Sequence, residues 1–134
     1  MTELELKQIV RDVPDFPKNG IVFKDITPLF QDVKANQFIF EQLKQNVKLL
    51  NPDVVVGIES RGFVYGNSLA LACDLPFVMA RKKGKLPSKT ISASYELEYG
   101  ISELEMHISS IKKGDKVLIH DDLLATGGTV KCVS

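Results

Sequence analysis

The apolar positions of this chain follow more than one period, and the changes of period divide it into elements. Leu6, Ile9, Val10 and Val13 recur at the spacing of one helix face, behind Thr2 and Glu5, which fit a capping box. Pro14 and Pro17 are expected to end that helix, and Asp15 to Gly20 has the composition of a turn. Ile21, Val22 and Phe23 form a brief apolar stretch, and Lys24 to Pro28 reads as an ordered loop. Ile39, Leu43, Val47 and Leu50 make a second helical stripe. It stops before Pro52, because the residue preceding a proline is held out of the helical region.

Val54, Val55, Val56, Gly57 and Ile58 do not alternate, which predicts a strand covered on both faces, as in parallel sheets. Glu59 to Gly62 leads into a helix to about Cys73, and Leu75 to Ala80 is a second buried strand, with Pro76 at its tolerated start. Strand, helix and strand with short joins form a right-handed unit whose strands run parallel. Val117, Leu118 and Ile119 predict a third buried strand. Between residues 85 and 110 the period falls to two. Ile91, Ala93, Tyr95, Leu97 and Tyr99 alternate with Ser92, Ser94, Glu96 and Glu98, and Leu104, Met106 and Ile108 alternate again after Gly100. This is a hairpin set between core strands, so it is expected to act as a flap over a site rather than as core.

The pattern predicts an α/β fold, a parallel sheet core flanked by helices, in one domain over residues 1–134. A hydrophobic share of 44% and a charged share of 25% fit an ordinary soluble protein. Seventeen basic residues balance seventeen acidic ones, so attraction for anions must come from local clusters, and nucleic acid is not an expected partner. No apolar run reaches bilayer-spanning length and the N-terminus does not resemble a signal peptide, so a cytoplasmic protein with no membrane partner is expected. Cys73 and Cys132 lack metal-ligand spacing and read as reduced thiols.

Ligands of open parallel sheets bind beyond the carboxyl ends of the strands. Three polar junctions fall at such ends: Glu59 to Gly62, Arg81 to Lys85, and Asp121 to Thr129. They are expected to converge. The last is the most informative. Asp121 and Asp122 can accept hydrogen bonds from a pair of sugar hydroxyls, and Ala125, Thr126, Gly127, Gly128 and Thr129 form a small-residue turn whose N–H groups suit a phosphate. A diacid beside a phosphate cradle points to a phosphorylated sugar. On pattern alone the acids could instead cap a helix and the glycines form a plain turn. Likewise Arg81, Lys82, Lys83 and Lys85 could be a solvated basic face, Phe23 could be core, and Glu98 could sit on a wet face with Glu96 and the serines.

The stretch from Val117 to Thr129 resembles the 5-phosphoribosyl-1-pyrophosphate (PRPP) signature of the type I phosphoribosyltransferases. Glu59-Ser60-Arg61-Gly62 is similar to the family's pyrophosphate loop, an acid followed by Ser-Arg-Gly, which often holds a non-proline cis peptide. The runs FPKNGIVFKDITPL and SYELEYG are similar to the adenine-using branch, although the family commonly has Arg where Lys24 stands. The resemblance implies transfer of phosphoribose from PRPP to adenine, giving AMP and pyrophosphate, with Mg2+ arriving on PRPP rather than in a metal site of the protein. It implies that Ser60, Arg61, Arg81, Lys82 and Lys85 meet the pyrophosphate and that Asp121, Asp122 and Ala125 to Thr129 hold the ribose phosphate. Glu98 takes the acid–base role at the base, Tyr99 helps close the flap, and Val22, Phe23 and Lys24 receive the purine. A homodimer is implied as well. Alternatives are another purine base, a non-catalytic PRPP-binding regulator, or an inactive remnant. His120 stands where the family is usually apolar. The family continues beyond the position of Ser134, through the rest of a helix and further strands, so a fragment or a truncation is expected.

Overall fold

The computed structural model describes residues 1–97, 100–122 and 128–134. Its contacts gather into two compact units, Met1–Leu43 and Lys44–Ser134.

In the first unit, α1 (Glu3–Ile9) begins with the expected capping box: the Thr2 hydroxyl accepts from Glu5 N–H, and the Glu5 carboxylate accepts from Thr2 N–H. The helix is shorter than its apolar spacing predicts. Val10 turns extended, and β1 (Arg11–Pro14) pairs antiparallel with β2 (Val22–Asp25), placing Val13 opposite Phe23. Cross-strand partners ten residues away outweigh a stripe that is also compatible with helix. The intervening turn carries a cis Phe16–Pro17 bond and Gly20 at φ 84°, with Gly20 N–H donating to Asp15 Oδ1 at 2.8 Å. The expected loop after Phe23 is instead the end of β2 followed by the short α2 (Thr27–Gln31). The long α3 (Val33–Leu50) follows and runs from the first unit into the second.

The second unit holds a five-stranded sheet in the order β5-β6-β4-β3-β7. Its centre is β3 (Val54–Ile58), buried at every position. β3 is flanked in parallel by β4 (Phe77–Lys82) and β7 (Val117–His120). The helix α4 (Gly62–Ala72) makes the crossover from β3 to β4. It packs on one face of the sheet, and glycines let it come close. A Cβ on Gly57 would lie 2.7 Å from two atoms of the Phe77 ring and 3.0 Å from Gly62 O, and one on Gly66 would lie 2.8 Å from the same ring. The core cluster contains Val54, Val56, Ile58, Val78, Ala80 and Leu104.

The predicted hairpin is present as β5 (Thr90–Leu97) and β6 (Gly100–His107). It is less detached than a flap set apart from the core. β6 pairs antiparallel with β4 through Arg81–Glu105 and Lys82–Leu104, so the hairpin extends the core sheet, and Leu104 is buried. The last described helix, α5 (Gly128–Val133), packs against β5.

Candidate active site

The carboxyl ends of β3, β4 and β7 lie side by side because these strands are neighbours in register, with Gly57 opposite both Met79 and His120. The residues just beyond those ends therefore meet. Arg61, at the foot of α4, donates from Nε to Asp122 Oδ2 at 2.7 Å, tying the end of β3 to the end of β7. Arg81 donates from Nε to Glu59 Oε1 at 2.8 Å, tying β4 to β3. Gly62 completes the contact: a Cβ there would sit 3.0 Å from His120 O and 3.2 Å from Asp121 Oδ1. Two ion pairs thus stand at neighbouring strand ends, Arg61–Asp122 and Arg81–Glu59, with Asp121 beside Asp122.

The peptide between Glu59 and Ser60 is cis, as the resemblance implies for this loop, and Ser60 is exposed. Asp121 and Asp122 differ in environment despite adjacency. Asp121 Oδ1 accepts from Asp122 N–H at 2.9 Å. Burial pushes the Asp121 carboxyl up to about 6, helped by the hydrogen bond and charge of the Asp122 carboxylate and opposed by the Asp122 N–H and by Arg61. Glu59 goes the other way. Burial pushes it up, but hydrogen bonds from Arg81 and Lys82 N–H and the charges of Arg81 and Lys85 bring it below the usual carboxylate value.

Lys82, Lys83 and Lys85 are exposed beyond Arg81, in a turn where Lys85 N–H donates to Lys82 O and Gly84 takes φ 83°. Lys83 pairs with Glu103 at 3.3 Å. The turn's basic side chains accompany Arg81 at the end of β4; among the described residues the arginine's is the one hydrogen-bonded to Glu59, on which the charge of Lys85 also acts. His120 lies on the α4 face, its ring 6.5 Å from that of Tyr65 in an edge-on arrangement, and its buried Nε2 has no hydrogen-bond partner among the described residues. Burial holds its pKa below the ordinary value, with the Asp122 charge opposing.

Of the residues singled out from sequence, Arg61, Arg81, Asp121 and Asp122 are brought together. Gly128 and Thr129 open α5, while Ala125, Thr126, Gly127, Glu98 and Tyr99 lie outside the described residues. Val22, Phe23 and Lys24 lie on β2 of the first unit. There the Phe23 ring meets Phe16 edge-on at 5.2 Å, and Lys24 Nζ donates to Asp12 Oδ1 at 2.6 Å. Sequence reading passed over Glu59 as a side chain with a task of its own. The available signal was its place as the acid heading the Ser-Arg-Gly loop. Among the described residues no helix is long and apolar enough to cross a membrane, and no cluster of three or more His, Cys, Asp or Glu could hold a metal ion.

Residues 24–133 match the phosphoribosyl transferase domain family. The chain is 56% identical over 128 residues to the adenine phosphoribosyltransferase of Halothermothrix orenii, covering 96% of this chain and 75% of that protein. The crystal structure of adenine phosphoribosyltransferase from Thermoanaerobacter pseudethanolicus aligns with a TM-score of 0.93 at 46% identity, over 98% of this chain and 77% of that one. The Saccharomyces cerevisiae enzyme, solved with adenine and an imino-altritol bisphosphate, aligns with a TM-score of 0.91 at 39% identity, over 97% of this chain and 76% of that one.

Proposed function

Since the chain belongs to the phosphoribosyl transferase domain family and, within it, to the adenine phosphoribosyltransferases, we propose that the crevice at the ends of β3, β4 and β7 is where PRPP reacts. The reaction joins C1′ of the phosphoribosyl group to N9 of adenine. The C1′–O bond to pyrophosphate breaks, the N9 proton leaves, and the products are AMP and pyrophosphate, a step of purine salvage.

The observation that carries this reading is the pairing of each arginine with an acid at a neighbouring strand end, Arg61 with Asp122 and Arg81 with Glu59. As the C1′–O bond breaks, positive charge develops at C1′ and negative charge on pyrophosphate. Arginines held in place by acids at the strand ends can meet the charge that develops on pyrophosphate without reorganising. In this reading Arg61, Arg81 and the basic turn of Lys82 and Lys85 receive the pyrophosphate, together with Ser60. Asp121 and Asp122 accept the ribose hydroxyls, Ala125 to Thr129 take the 5′-phosphate, and Glu98 serves the proton at the base, with Tyr99 beside it. Phe23 is the proposed stacking partner for adenine, flanked by Val22 and Lys24.

Magnesium is a hard cation that prefers phosphate oxygens. Glu59 and Asp122 are each committed to an arginine, a donor set that fits an ion carried on the phosphates of PRPP better than one held by this chain. When bound it would neutralise pyrophosphate charge. The homodimer belongs to the same reading. Exposed Val64 and Leu71, one face of α4 behind the pyrophosphate loop, supply apolar surface for it, and sedimentation equilibrium showing a monomer at assay concentration would remove it.

The direct test supplies adenine, PRPP and Mg2+ together and then omits each. AMP and pyrophosphate should form in equal amounts only with the complete mixture. AMP appearing without PRPP, or hypoxanthine consumed in preference to adenine, would overturn the assignment.

A further inference from the structure

Among the described residues, Arg81 is held from one side. Among the described residues its guanidinium bonds to protein through Nε alone, to Glu59 Oε1 at 2.8 Å. A guanidinium carries five N–H donors, so four are left for a ligand. The acid that takes the fifth is itself fixed in place. Glu59 N–H donates to Ala80 O at 2.9 Å, and the oxygen that holds Arg81 also accepts from Lys82 N–H at 3.3 Å. The carboxylate therefore grips both the backbone and the side chain at the end of β4. Its side chain is 11% exposed against 31% for the arginine, so the acid lies behind and the guanidinium in front.

We propose that Glu59 is a positioning residue, which holds Arg81 by Nε so that its remaining donors face the pyrophosphate of PRPP. The proposal rests on the reading of the crevice given above. An arginine has many rotamers to lose when it closes on an anion, and ordering it beforehand removes that cost from the binding step. The charge of Glu59 works in the opposite direction, since a carboxylate near an incoming anion repels it. The geometry favours positioning over repulsion: one oxygen serves two donors of β4, and the Arg81 charge already offsets the acid's own.

The test is calorimetric titration of inorganic pyrophosphate, with Mg2+, into the chain and its variants. Glu59→Ala should weaken binding roughly tenfold, the scale of one hydrogen bond to a charged group. Glu59→Gln keeps an acceptor oxygen at the same reach and should stay within about threefold of the unsubstituted chain. In an Arg81→Ala background the Glu59→Ala change should cost nothing further, because the group it positions is gone. Equal effects of Glu59→Ala and Glu59→Gln would overturn the proposal. So would tighter binding by both, or a Glu59→Ala loss that persists without Arg81. The cycle also separates positioning from a general loss of structure, which would weaken binding in either background. If the unsubstituted chain binds no pyrophosphate, the reading of the crevice fails first and takes the proposal with it.

Discussion

Asp121 and Asp122 carry the same side chain one residue apart, yet the fold gives them different surroundings. Asp122 answers Arg61, while Asp121 is turned toward Gly62 and sits where burial and its neighbour's charge resist ionisation. Because its folded-state pKa lies above the ordinary 3.8, at about 6, folding favours the protonated form. Its contribution to stability is therefore complete below pH 3.8 and is lost as the pH climbs through about 6. Asp121→Asn removes that slope. Between about pH 4 and about pH 7 its urea midpoint should fall less than that of the unsubstituted chain. In its proposed role as a ribose ligand, an ionised Asp121 is a better hydroxyl acceptor than a protonated one, so kcat/KM for PRPP should decline as the pH drops below about 6. A profile that stays level through that range would show that Asp121 does not hold the ribose.

At the scale of elements, the approach of α4 to β3 depends on what is missing at Gly57. A methyl group there meets the Phe77 ring at 2.7 Å and Gly62 O at 3.0 Å. Gly57→Ala should cost about 1–3 kcal/mol, the range for overpacking a filled core, read as a lower urea midpoint with an unchanged slope. Adding Phe77→Leu should recover part of the loss, since the ring is the nearer obstacle. The remainder would report the push on the Gly62 carbonyl, and with it a shift of the loop carrying Arg61. Full recovery would place all of the strain on the ring and none on the loop. The sequence made this element legible as a strand, because five consecutive apolar or glycine positions leave no wet face. It could not show that Phe77 leans over two glycines, since that contact joins residues twenty and eleven apart in the chain. The same limit explains the N-terminal error. Leu6 to Val13 fits a helix by spacing, but Val13 pairs with Phe23, and local periodicity contains nothing about that partner. The hairpin was legible from its alternation, whereas its union with β4 depends on a pairing no period records.

For the whole molecule, the described residues proposed for PRPP, Ser60, Arg61, Arg81, Lys82, Lys85, Asp121, Asp122, Gly128 and Thr129, all belong to the unit Lys44–Ser134. The convergence of their strand ends was legible in outline from three polar junctions placed after apolar runs. Which acid would meet which arginine was not, because that depends on strand order, β4-β3-β7, which the chain presents as β3, β4, β7. A ligand that binds only the folded state stabilises it by an amount fixed by its concentration relative to Kd, about 2.7 kcal/mol at a hundredfold excess. Pyrophosphate with Mg2+ should therefore slow hydrogen exchange in Lys44–Ser134, most of all in β3 and its neighbours β4 and β7, whose ends the ligand joins. Exchange in Met1–Leu43 should be unchanged by pyrophosphate and respond only when adenine is supplied, because that unit carries Phe23, the proposed stacking partner of the base. Protection by pyrophosphate concentrated in Met1–Leu43 would mean that the anion is held there, and the strand-end crevice would lose its claim to PRPP.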